Sequence, residues 1–106
     1  MLKLKADPTF VTAVKIPAPT GDIQIKVEFK HMTRDAYRAF IEQEADKKRS
    51  DEDAIMDIAC GWQEVDAPFS REAVAELCQQ YHAAPRAIVE TFIRELTQFK
   101  LGNSAG

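Results

Sequence analysis

The stretch from Asp22 to Lys30 reads IQIKVEFK after its first residue, placing Ile23, Ile25, Val27 and Phe29 on one face of an extended chain and Gln24, Lys26, Glu28 and Lys30 on the other. Successive strand side chains point to opposite sides, so this is the pattern of a strand with one face buried and one in water. Upstream, Phe10, Thr12, Val14 and Ile16 alternate in the same way, and the PAPTGD between them is dense in turn formers. The two segments are expected to form an antiparallel hairpin. A lone hairpin is marginal in water, so its apolar face needs a cover.

Downstream the period changes from two to three-four. A first helix is expected from Thr33, which can cap free N–H groups, with Met32 and Tyr37 placed as a hydrophobic staple and Tyr37, Phe40 and Ile41 as the inward stripe. The mixed-sign run EQEADKKRSDED then reads as a solvated helix end and turn rather than a binding patch. Ser50 is expected to cap a second helix, whose opening Asp51, Glu52 and Asp53 complement the positive end of the helix dipole. Ile55, Ile58, Ala59 and Trp62 share one face of that helix, and Gly61 reads as its stop, which puts Trp62 at the helix exit. Ser70 caps a third helix carrying Val74, Leu77, Cys78 and Tyr81, with Phe69 and Val74 as a second staple. Pro85 suits the first turn of a fourth, whose stripe is Ile88, Val89, Phe92, Ile93, Leu96 and Phe99. The fold class expected is α+β: an N-terminal antiparallel hairpin packed against about four helices, with the C-terminal two-thirds mostly helical. Residues 1–100 form a single domain in this reading, and LGNSAG, residues 101–106, a flexible tail.

Composition supports a self-sufficient core. Of the 106 residues 45% are hydrophobic and 29% charged, enough to fold without a metal or disulfide staple. A net charge of −3 opposes long-range attraction to nucleic acid or anionic lipid. No apolar run approaches the roughly 20 residues that cross a bilayer, and MLKLKADPT lacks the apolar centre of a signal peptide. A cytoplasmic protein is expected, with Cys60 and Cys78 as reduced core residues.

The chemistry-bearing side chains do not assemble into a site. His31, His82, Cys60 and Cys78 have no paired spacing of the kind that holds a metal, so neither metal nor cofactor is expected. Cys78 and His82 are four apart on one helix, but Val74, Leu77 and Tyr81 mark that face as core, where a thiol is inert. The four glycines are scattered and build no phosphate loop. No catalytic residue is assigned, and an enzyme is not expected. The rival from another class is a small DNA-binding regulator, since Ser70 to Phe92 can be laid out as helix, turn, helix. Charge argues against it: from Ser70 to Lys100, Arg71, Arg86, Arg94 and Lys100 are balanced by Glu72, Glu76, Glu90 and Glu95.

The segment DIACGWQEVDAPFSREAVAELCQQYHAAPRAIVETFI resembles the tail assembly chaperones of long-tailed bacteriophages and prophages. The resemblance rests on Gly61 and Trp62, then Glu64 and Asp66, then Pro68, Phe69 and Ser70, then the bulky apolar residues from Ile88 to Phe99, with the strand and helix of the first half extending it over residues 22 to 99. It implies a non-catalytic protein of the host cytoplasm that binds the tape measure protein, self-associates around it and helps deliver tail tube subunits, and in many relatives a longer frameshifted product.

Such a protein has to offer apolar surface while staying soluble. Trp62, Val65 and Phe69 lie in or beside a connection, where a bulky side chain is easily presented, and aromatic side chains dominate interface energies. The competing reading is that Trp62 and Phe69 seal the core as staples. The second candidate surface is the last helix, through Phe92, Leu96 and Phe99, part of which is expected to mediate self-association.

Overall fold

A computed structural model of the chain describes residues 1–46 and 49–98. Two long strands open the fold, β1 (Thr9–Ile16) and β2 (Ile23–Lys30), paired antiparallel with Phe10 opposite Phe29, Val14 opposite Ile25 and Ile16 opposite Ile23. This register puts every residue of both alternating apolar sets on one sheet face. Ala18 to Gly21 close the hairpin, with the Gly21 amide donating to the Ala18 carbonyl at 3.0 Å. Gly21 has φ +121°, a conformation that side chains with a Cβ rarely adopt.

Four helices follow: α1 (Arg34–Asp46), α2 (Asp51–Ile58), α3 (Arg71–Gln80) and α4 (Ala84–Thr97). Their starts are where the caps fall. The Thr33 hydroxyl accepts from the Ala36 amide at 3.1 Å, and the Ser70 hydroxyl from the Ala73 amide at 3.1 Å. Ser50 and Asp53 form a reciprocal capping box, Ser50 Oγ accepting from the Asp53 amide at 3.2 Å and the Asp53 carboxylate from the Ser50 amide at 3.3 Å. Pro85 sits in the first turn of α4. The fold is therefore α+β, with the hairpin first and helices dominating the C-terminal part.

One element departs from the sequence reading. Helix α2 ends at Ile58, and Ala59–Gln63 forms a third strand, β3, antiparallel to β2 with Trp62 opposite Val27. Trp62 thus belongs to a strand rather than to a helix exit, and Gly61 is no helix stop. It lies opposite Glu28, where an added Cβ would come within 3.3 Å of the Glu28 Oε1. Pairing shifts by one residue at Cys60, a bulge that breaks the period-two signal in ACGWQ. The bulge also corrects the placement of Cys60, which is exposed; Cys78 is half-buried.

The helices cover the apolar sheet face. Helix α4 lies along β1 and against α2, and α2 also packs on α3. Val14, Val27, Phe29, Ile55, Ile58, Val74, Ile88 and Phe92 are buried at the centre. At one end of the hairpin four rings interlock: Phe92 is 5.5 Å from Phe29, 6.3 Å from Phe10 and 5.9 Å, edge-on, from Phe40. The charged run after α1 is also less loose than its composition suggests, because the Arg49 side chain is only 16% exposed. Its guanidinium donates to the Gln43 amide oxygen, the Asp57 carboxylate and, at 2.8 Å, the Asp53 carbonyl, tying α1 to α2.

Candidate functional site

The opposite end of the hairpin is open. There a trough of about 460 Å³ is walled by Trp62 and Val65 on one side and by Ala73, Leu77 and Tyr81 of α3 on the other, with half-buried Ile23 at its floor and Ile16 and Ile25, 1% and 4% exposed, covered beneath it. Its depth follows from the chain path. Strand β3 ends at Gln63, Glu64 takes a left-handed conformation (φ 69°), and the connection to Ser70 swings out before α3 returns. The indole Nε1 of Trp62 donates to the Ala67 carbonyl at 2.8 Å, holding that connection in its curve. Phe69 backs the indole edge-on, with ring centres 5.2 Å apart. Both aromatic residues are half-buried. They therefore do two things: they seal the core as staples, and Trp62 also presents one surface to the trough.

The edge of the trough is acidic. Glu64, Asp66 and Glu76 line it and are exposed, and no lysine or arginine lines it among the described residues. None of the three carboxylates forms an ion pair among the described residues; Glu76 accepts from the Gln80 amide nitrogen at 2.8 Å. Apolar walls under uncompensated negative charge suit an apolar segment carrying positive charge.

The structure divides the residues singled out in the sequence. Trp62, Val65 and Phe69 come together at the trough. Leu96 lies at the other end of the fold, where it lines a larger depression of about 800 Å³ with Met32, Tyr37 and Ile41. Phe92 is 0% exposed and offers no surface to a partner; its place at the centre of the ring cluster corrects its reading as a contact residue. Phe99 lies outside the described residues, as does the segment 101–106. The sequence reading missed Leu77 and Tyr81, which it counted as core. Their four-residue spacing gives the shared face, but only the fold shows that this part of α3 overhangs the sheet end, leaving Tyr81 36% exposed.

Groups for chemistry do not converge here. Among the described residues no three His, Cys, Asp or Glu side chains are grouped to hold a metal ion. Burial pushes the Cys78 thiol up to about 11, with Asp51 and Glu52 adding to the effect. The Asp53 carboxyl is held below its ordinary range, chiefly by the Arg71 guanidinium and then by the Ser50 amide. That pair joins α2 to α3 and is structural. Among the described residues no helix is long and apolar enough to cross a membrane.

A family model described as phage tail assembly chaperone matches residues 1–103. Neither the curated proteins nor the solved structures give a match. The matched span contains the hairpin, all four helices and the trough between β3 and α3, so the chain belongs to the phage tail assembly chaperone family.

Proposed function

We propose that the chain acts in the host bacterial cytoplasm as a non-catalytic tail assembly chaperone, with residues 1–100 working as one domain that binds the tape measure protein and assists polymerisation of the tail tube protein. The holding site in this reading is the trough, with Trp62, Val65, Leu77 and Tyr81 against the client and Phe69 bracing the indole. The observation that carries it is an apolar trough with an uncompensated acidic edge at the end of an otherwise covered sheet. Aliphatic and aromatic walls grip many sequences through burial alone, which suits a client held transiently along its length.

The DNA-binding alternative has less support. Arg71, Arg86 and Arg94 each pair with a carboxylate, of Asp53, Glu90 and Glu95 respectively, so α3 and α4 project little free positive charge toward phosphates. Self-association through the last helix also loses material, because Ile88 and Phe92 are consumed by the core and Leu96 alone of the assigned contacts is left at the surface among the described residues.

Co-expression with a tape measure fragment tests the proposal. The chain is expected to co-purify with the fragment, and Leu77→Glu to abolish capture while the circular dichroism spectrum stays native. Equal capture by folded Leu77→Glu and Trp62→Ala variants would remove the trough from the site.

A further inference from the structure

The segment before β1 alternates apolar and basic residues and lies outside the strands, with a bend at Leu4 and Lys5. In Met1-Leu2-Lys3-Leu4-Lys5, Leu2 is 84% and Leu4 96% exposed, while the lysines alternate with them. In an extended conformation both leucines fall on one side and both lysines on the other. Among the described residues its local tie is an ion pair from Lys3 to Asp7 at 2.6 Å, with both side chains more than two-thirds exposed, a kind worth little in water.

We propose that, in the absence of client, this arm seats in the trough of a second copy of the chain, with Leu2 and Leu4 against Ile23, Trp62, Leu77 and Tyr81 and Lys3 and Lys5 facing Glu64, Asp66 and Glu76. The two features complement each other in both respects that matter: apolar against apolar, and positive charge against an edge whose carboxylates form no ion pair among the described residues.

Reach decides that the acceptor is another copy. The arm leaves β1 at Thr9, the ring-cluster end, whereas the nearest hairpin residue lining the trough is Ile25, which pairs with Val14. Five strand steps, about 17 Å, separate Thr9 from Val14. Leu4 is five steps before Thr9 and reaches at most about 18 Å from it. The direct path along the inner face is filled by Phe10, Phe29 and Phe92. With so little chain to spare, an arm detouring round those rings does not bring Leu4 to its own trough, whereas docking between copies needs no such path. The consequence rests on the holding-site reading: the free chaperone keeps its trough covered with its own arms, and a client displaces them. The docking itself does not rest on it.

The test combines sedimentation of the full chain with binding of the peptide MLKLKADP to a chain lacking residues 1–5. The full chain is expected to associate with rising concentration and the shortened chain to remain monomeric. The peptide should bind the shortened chain, several-fold more weakly at 0.5 M than at 0.05 M salt, and about tenfold or more weakly when Leu2 and Leu4 are both replaced by Asp. Leu77→Glu in the acceptor should abolish binding, and the exposed reversals Glu64→Lys and Glu76→Lys, which leave the core untouched, should weaken it several-fold. The proposal is overturned by a full chain that stays monomeric at several hundred micromolar, by unchanged association after deletion, or by peptide binding that is absent or indifferent to both acceptor variants. Client capture measured on the shortened chain is a separate readout, so loss of arm docking and loss of client holding remain distinguishable.

Discussion

At one end of the sheet Phe10 and Phe29 lie beneath Phe92 and Phe40; at the other, Ile16 is equally buried but Ile23 beside it stays half-buried at the floor of a trough. Both ends belong to the same two strands and carry the same unbroken alternation. The difference comes from what lies above them. Helix α4 brings a ring down onto the first end, while the second is flanked by the connection after β3, which Trp62 ties through its bond to Ala67, and by α3. Alternation specifies which face of a sheet is apolar, and helix placement specifies how much of that face is withdrawn from water. In the proposed function, stability and binding are allotted to opposite ends of one surface.

The sharpest way to break this comparison is to truncate one residue at each end. Phe92→Ala should cost about 3–5 kcal/mol, as for other buried aromatic truncations, whereas Leu77→Ala, half-exposed in the trough, should cost no more than about half as much. Urea unfolding measures both, and equal costs would show that the trough is no softer than the core. Next in size are the caps: Ser50→Ala and Ser70→Ala should each lose about 1 kcal/mol, the latter also loosening the trough wall because Ser70 starts α3. Trp62→Phe keeps a ring against Phe69 but removes the donor to Ala67. About 1 kcal/mol is expected, together with faster amide exchange in the 64–70 connection and unchanged exchange in α4.

The remaining effects are smaller and concern ionisation. Cys60 is exposed on the bulge and Cys78 half-buried with its thiol raised to about 11, so a thiol reagent at pH 8 should modify Cys60 first. Because Cys78 ionises at about 9 when unfolded and higher when folded, its contribution is intact below pH 9 and declines as pH rises toward 11. The sign is opposite for Asp53. Its folded carboxyl lies below the ordinary carboxylate value, held there by Arg71, so the stabilisation is present above that value and fades as pH falls through the folded one. Arg71→Ala should flatten this part of the acid unfolding profile, with a small effect because the pair is exposed.

Much of the fold was legible because local and long-range signals agreed. The alternation of Ile23, Ile25, Val27 and Phe29, the caps at Thr33, Ser50 and Ser70, and Pro85 in the first turn of α4 all specify what the structure contains. Strand β3 escaped because five residues with a bulge at Cys60 carry no alternation, and because Gly61 imitates a helix stop. The site was half legible. Trp62 and Val65 stood out as bulky groups near a connection. Leu77 and Tyr81 did not, since a three-four stripe states that a face is apolar without stating whether the sheet beneath it ends. Phe92 was misplaced for the converse reason: the wide stripe of α4 looked like surplus until three other rings used it.

Hydrogen exchange on the chain with and without a bound tape measure fragment locates the holding site most directly. The account predicts slowed exchange at residues 62–67 and 73–81, with little change across α4. Protection confined to the depression around Met32, Tyr37, Ile41 and Leu96, with none at the trough, would contradict it.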